Sequence, residues 1–360
     1  MDTDTDDRFW DALARWEELY QQGTDAPPED LCRSHPENTE RLKQHIQALK
    51  RMSWLTKPAT EEAEFAPPQG GSDQPPRRLG EYDLLEPIGV GGMGQVFKAL
   101  HRRMDRVVAV KILPRVSADS ARRFQDEVRA AGKLLHPNIV TSFDAGEQDG
   151  VPFLAMEFID GIDLAQQVQK HGPVSIKMAV DFTVQAARGL EYAHSKGVIH
   201  RDVKPSNLFL SKGGILKILD LGLAQLNGDK GTIAGTSDYL PPESVETGQA
   251  DHRGDIYSLG CTLFFLLTGK PPFTGKTVIQ TVMAHCEQPT PSLKTARSDV
   301  SAALDAVFQR MVAKRPQDRY QSMAEVIPAL ERCLRRRRAK WMVFAGLVGG
   351  SSLQQGYSAS

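Results

Sequence analysis

Four cysteines in 360 residues are few, and Cys32, Cys261, Cys286 and Cys333 stand too far apart for a metal-ligand spacing or a disulfide framework. The chain therefore reads as one whose thiols stay reduced, as in a cytoplasmic protein. Net charge is also missing. The 44 basic and 45 acidic residues leave −1, without the basic excess of a nucleic-acid binder. The acidic, polar N-terminal stretch lacks the pattern of a secretory leader. The apolar run Ile256–Leu267 is 12 residues long, short of the roughly 20 that cross a bilayer, and reads as a buried helix. No internal repeat is evident. The remainder is globular in composition, 40% apolar and 25% charged, and its length suits two domains or one large domain with extensions.

Charge is unevenly spread. Residues 1–80 hold 16 acids and 10 bases, hence −6, and residues 331–360 hold one acid and six bases, hence +5. Near the start, Phe9, Leu13, Trp16, Leu19 and Tyr20 recur at helical spacing behind Asp6 and Asp7, and Gly23 follows. A second run, Leu42, Ile46, Leu49 and Met52, comes after Pro36, with Pro27–Pro28 between the two. The spacing predicts a small helical module over 6–55. So short a segment buries little core, so it is expected to dock on a partner the sequence does not identify, as a spacer or as a regulatory or targeting unit. Residues 56–81, rich in Pro, Gly, Glu and Gln, read as a flexible linker. In the tail, 334–360, Arg335–Arg338 and Lys340 precede the apolar Trp341–Val348. That charge order fits the cytoplasmic flank of a membrane helix, but Gly349, Gly350, Ser351 and Ser352 break the run early. A cytosolic tail is expected, with membrane association through 335–353 as the alternative.

Two further stretches carry chemistry. Ile88-Gly89-Val90-Gly91-Gly92-Met93-Gly94-Gln95-Val96 spells G-x-G-x-x-G-x-V. Glycines are needed where backbone N–H groups must approach phosphate oxygens without a Cβ between them. Dinucleotide-binding folds share the pattern, but there the glycines open a helix. Here Leu84–Ile88 and Gln95–Leu100 read as strands, so the glycines cap a hairpin. Val108-Ala109-Val110-Lys111 is another strand, ending on a lysine twenty-two residues after Gly89. The second stretch is His200-Arg201-Asp202-Val203-Lys204-Pro205-Ser206-Asn207, and Asp220-Leu221-Gly222 begins thirteen residues after it. A carboxylate, an ammonium and an amide carbonyl within six residues, with a second carboxylate nearby, are what phosphoryl transfer uses. One group orients the attacking hydroxyl, one steadies the phosphate, and two oxygen ligands suit magnesium.

In this order the motifs resemble those of a bacterial eukaryotic-like Ser/Thr protein kinase, over about 82–333. The resemblance implies an α+β fold of two lobes, a small β-rich one and a large, mostly helical one, using ATP and Mg2+ on protein serine and threonine hydroxyls. It extends faintly to the N-terminal module, whose Pro28-Glu29-Asp30-Leu31-Cys32 follows a Trp-containing helix. Related receptor-like kinases carry a membrane helix where the tail lies.

The family's roles pass to matching residues as follows. Ile88–Val96 would cover the phosphates and Lys111 would contact them, paired with Glu127 or, as the neighbouring alternative, Asp126. Met156 would be the gatekeeper, with Glu157 and Phe158 as the hinge to adenine, and Val96, Ala109 and Phe209 around the ring. Asp163 would reach the ribose or cap the next helix. Asp202 would accept or orient the hydroxyl proton, Lys204 would steady the γ-phosphate, and Asn207 and Asp220 would hold magnesium. Lys204, two residues after Asp202, is the Ser/Thr pattern. Thr236 would bond Asp202 and Lys204, and Arg201 would receive a phosphate on Thr232, with Ser237 second. Glu243 would pair with Arg319, and Asp255 would bond the catalytic-loop backbone. Leu221 stands where Phe is usual, and Pro241-Pro242-Glu243 replaces Ala-Pro-Glu.

Two other classes compete with this reading. A pseudokinase-like nucleotide-binding scaffold would be favoured by loss of Lys111, Asp202, Asn207 or Asp220, and all four are present. A small-molecule phosphotransferase would lack the 235–243 substrate loop and Asp255, both of which are present.

Overall fold

A computed structural model of the chain describes residues 3–51, 78–91, 94–113, 132–148, 150–221, 237–247, 250–275 and 277–334. Strand β2 (Tyr82–Gly91) and β3 (Gly94–His101) form the hairpin that carries the glycines. Gly94 has φ +117°, and a Cβ there would lie 2.0 Å from the Ile112 carbonyl oxygen, so only glycine fits. β4 (Arg106–Ile112) pairs with β3 on one side and β6 (Val151–Glu157) on the other. The short β1 (Arg78–Leu79) and β5 (Ser142–Gln148) complete an antiparallel sheet of order β1-β2-β3-β4-β6-β5. Alternation along β4 sorts its side chains. Val108, Val110 and Ile112 enter the small-lobe core with Phe97 and Phe153, while Ala109 faces Met156 and Val140. Lys111, in phase with Ala109, points to the same side.

The large lobe begins with β7 (Gly161–Asp163), α4 (Leu164–His171) and α5 (Ile176–Ser195), followed by the hairpin β8 (Leu208–Ser211) and β9 (Leu216–Ile218). Then come α6 (Pro242–Thr247), α7 (His252–Thr268), α8 (Val278–Glu287), α9 (Leu293–Ala296), α10 (Ala302–Met311) and a last helix over 323–334. Helix starts follow side-chain capping. Ser175, Thr277, Ser292 and Ser301 each accept a backbone N–H of the first turn. The run Ile256–Leu267 is the buried middle of α7, apolar on nearly every face because other elements surround it. Among the described residues, no helix is long and apolar enough to cross a membrane.

The N-terminal segment forms α1 (Thr3–Gln21), α2 (Pro28–Leu31) and α3 (Thr39–Arg51), the last entered through a 3-10 turn at Pro36–Asn38. Of the predicted apolar positions, Phe9, Leu13, Trp16, Leu42 and Ile46 are buried, and Leu19 and Tyr20 are half-buried. It packs in one cluster with Cys32 and with five residues of the large lobe: Leu240, Val245, Ile279, Val282 and Met283. The partner on which the module rests is thus the chain's own large lobe. Residues 52–77 and the tail 335–360 lie outside the described residues, as does the expectation about membrane association.

Candidate active site

The catalytic loop hangs from a single buried carboxylate. Asp255, 1% exposed on α7, accepts the backbone N–H of His200 at 2.9 Å and of Arg201 at 2.8 Å, and pairs with His194 Nε2 at 2.7 Å. Burial by itself would raise its carboxyl. The His194 hydrogen bond and charge, with His200, outweigh burial and hold it below the usual carboxylate range. His200 is fully buried as well. Its Nδ1 accepts the Asp202 N–H at 3.2 Å and its Nε2–H donates to Leu219 O at 3.0 Å, which ties the loop to the strand leading to Asp220. Two residues of the site hold left-handed backbone without being glycine: Arg201 at φ +65° and Asp220 at φ +55°. Such conformations cost energy and persist where neighbours over-determine them.

Around Asp202 the polar groups converge. Its Oδ2 receives Lys204 Nζ at 2.8 Å and Asn207 Nδ2 at 3.0 Å, and Asn207 Nδ2 also donates to the Asp202 carbonyl at 2.8 Å. The second oxygen, Oδ1, is buried and has no partner among the described residues. Lys111 Nζ lies 2.8 Å from Asp220 Oδ1, with the lysine only 6% exposed. The sequence assigns Lys111 to Glu127 or Asp126; both lie outside the described residues, and the partner seen is Asp220. Gly92, Met93, Thr232 and Thr236 also lie outside.

Beside Lys111, Ala109, Met156 and Val140 form a small apolar cluster with Val96, Ile159 and Leu219 against it, as befits a surface for a flat apolar ring. Ile88 and Val90 on the glycine hairpin are exposed. Phe209, on β8, pairs in register with Asp163. Of the two readings of Asp163, the cap is observed: its Oδ1 accepts Gln166 N–H at 2.8 Å. Three polar contacts at this end are not suggested by any motif. Glu157 Oε2 receives Lys217 Nζ at 2.8 Å, Lys98 Nζ lies 5.3 Å over the Phe158 ring, and Asn138 Nδ2 donates to Leu216 O at 2.8 Å. They join residues far apart in sequence, which leave no local signature.

Below the loop, Glu243 and Arg319 form a two-bond fork at 2.8 and 2.7 Å. The guanidinium, 1% exposed, also donates to the carbonyls of Ala313, Arg253 and Lys314, so its donors are all used. The substrate-side stretch is pinned by Ser258 Oγ, which donates to Tyr239 O at 2.7 Å.

The protein kinase domain model matches residues 82–328. The chain belongs to the protein kinase family. The curated relatives compared below are serine/threonine-protein kinases of bacteria. It is 38% identical to the serine/threonine-protein kinase PknB of Mycolicibacterium smegmatis, over 70% of this chain and 43% of that one. To PknB of Mycobacterium tuberculosis it is 40% identical, over 68% and 41%. To a probable serine/threonine-protein kinase of Streptomyces coelicolor it is 35% identical, over 72% and 41%. The match thus spans less than half the length of these relatives. Among solved structures, Rad53 1-466 in complex with AMP-PNP aligns with TM-score 0.61 at 27% identity, covering 69% of this chain and 65% of that one.

Proposed function

We propose that the chain transfers the γ-phosphoryl group of ATP to serine and threonine hydroxyls of proteins, itself included. The observation that carries this reading is the division of labour on Asp202. Lys204 and Asn207 hold one carboxylate oxygen, and the other is buried with no described partner. We read this carboxylate, held in place by Lys204 and Asn207, as the group that takes the proton of an incoming hydroxyl. Lys204, beside it, supplies positive charge where phosphate negative charge is displaced.

Asn207 and Asp220 offer an amide carbonyl and a carboxylate, hard oxygen donors that suit Mg2+. Among the described residues, no three His, Cys, Asp or Glu side chains gather to hold a metal. Magnesium here would therefore take its other ligands from phosphate and water, as this ion commonly does. Once bound, it would neutralise charge on the phosphates. Lys111 and Asp220 are bonded to each other in this structure; with nucleotide and metal bound, the ammonium would serve phosphate oxygens and the carboxylate would be a ligand to the ion. The apolar cluster at Ala109 and Met156 receives the adenine, with Phe209 closing it from the large lobe and the backbone of Glu157 and Phe158 bonding its edge.

Incubation of the full chain with ATP and Mg2+, followed by phosphopeptide mapping, tests the assignment. Wild type acquires phosphate. Asp202→Asn loses activity about 10²–10⁴-fold, the range for removing a proton acceptor. Lys111→Ala and Asp220→Asn lose it comparably while still folding. A chain that binds ATP yet phosphorylates neither itself nor generic basic substrates is instead the nucleotide-binding scaffold.

A further inference from the structure

Two apolar clusters lie in the large lobe without merging. The main core runs through α5, α7, α10 and 323–334, while the cluster under the N-terminal module is separate. The substrate-side stretch sits between them. Tyr239 belongs to the main core, and Leu240, the next residue, faces the module. Helix α8 is divided in the same way, with Ala284 turned to the core and Ile279, Val282 and Met283 turned to the module. Lifting the module would leave the core closed.

The contact has the composition of a protein–protein interface inside one chain: an apolar centre with aromatic anchors and a charged rim. Trp16 and Phe9 are fully buried at its centre. At the rim, Arg41 Nη2 meets Glu287 Oε2 at 2.7 Å, and His45 Nε2 bonds the other oxygen of the same carboxylate. The Arg41 guanidinium also lies 4.0 Å over the Phe9 ring, and Gln280 Nε2 donates to Trp10 O at 3.3 Å.

We propose that residues 3–51 are a cover over the face by which folded protein substrates engage the kinase. In this view the module competes for Leu240, Val245 and α8 with a protein presenting an apolar helix that bears a basic side chain. The proposal rests on the protein kinase reading above. A short peptide needs only the groove beside Asp202. A folded protein also needs the flanking face, and reaches it by displacing the module. Release without a replacement would expose five apolar side chains at once, so the cover stays seated until a competitor supplies its own apolar surface.

The test uses the full chain and changes the module alone, so that the kinase face stays native. Arg41→Glu sets like charges across the rim, and Leu13→Glu attacks the apolar centre independently. Two substrates are compared: an affinity-tagged Asp202→Asn copy of the chain, which is folded, and a synthetic peptide of residues 228–240. Hydrogen exchange of 239–245 and 278–287 reports release. The expected result is faster exchange in both segments with kcat/KM on the folded copy raised about fivefold or more, the scale of a modest coupling between sites. Turnover of the peptide and KM for ATP stay within about twofold of wild type. Released variants that gain nothing on the folded copy, or gain equally on the peptide, overturn the cover. So does exchange that rises in neither variant, since a cover must be able to lift. Loss of phosphorylation of both substrates by wild type as well would defeat the kinase reading instead.

Discussion

Asp255 shows how one side chain can set the geometry of a site it does not enter. Its two oxygens accept two consecutive backbone N–H groups and a histidine, in a place water does not reach. The pair of N–H bonds explains how Arg201 keeps a left-handed backbone at φ +65°, since relaxing it would break a charge-assisted bond. Asp255→Asn replaces one acceptor oxygen by an NH2 group that faces a donor. We expect a loss of roughly 2–4 kcal/mol in unfolding free energy, in the range for breaking a buried charged network. kcat should fall more than KM for ATP rises, because the loop carrying Asp202 shifts while the nucleotide surface is unchanged. Denaturant melts and steady-state kinetics check both. The sign with pH follows from the lowered carboxyl: its stabilising contribution is present above the ordinary aspartate value and is lost as pH falls through the lowered one.

At the scale of elements, the segment after Asp220 is where we expect control of activity. Residues 222–236 lie outside the described part, and Ser237, the first residue after them, is buried in a short 3-10 turn. Burial puts Ser237 behind Thr232 as an acceptor of phosphate. Arg201 is exposed next to Asp202, where a phosphate of about −1.5 to −2 charges would find a two-pronged donor. We expect autophosphorylated chain to carry phosphate on Thr232. Thr232→Ala should lower turnover about tenfold or more, the value of one charge-assisted pair, with less effect on ATP affinity. Mass spectrometry and kinetics decide it, and full activity without phosphate anywhere in 223–240 would mean another means of activation. Elements also differ in how far the sequence reveals them. The hairpin that presents Gly94 is legible because its glycines and flanking strands obey local rules. Asp255 could be matched to its role, but nothing in the sequence marks His194, 61 residues earlier, as its partner. Lys217 and Lys98 are two of the three lysines in the described strands, and nothing near them names Glu157 or Phe158. The docking of α1 and α3 is hidden for a similar reason: the periodicity shows which face is apolar, not what lies against it.

For the whole molecule, two carboxylates in the module contact titrate in opposite senses. Glu17 is raised, first by burial, against a hydrogen bond from Thr277, so its favourable contribution is complete below the ordinary value of 4.5 and lost as pH rises through the raised one. For Glu287 burial acts upward, but His45 and Arg41 bring it down; its contribution is present above 4.5 and lost as pH falls through the lowered value. Docking should therefore be tightest near pH 4.5, weakening on both sides. Fluorescence of Trp10 and Trp16 followed against pH reads it. Glu17→Gln should flatten the limb toward neutral pH, and Glu287→Gln the acid limb.

The separation between the module and its seat has a consequence during synthesis. Trp10 and its partner Gln280 are 270 residues apart. At about 5–20 residues per second, the ribosome takes roughly 15–50 s to make α8 after Phe9, Leu13 and Trp16 have been polymerised. For most of that interval the nascent stripe has no native surface to cover it. A segment made some 270 residues before its seat is thus among the last to find its place, and until then it is a natural target for holdase chaperones and for the stripes of neighbouring nascent chains on the same message.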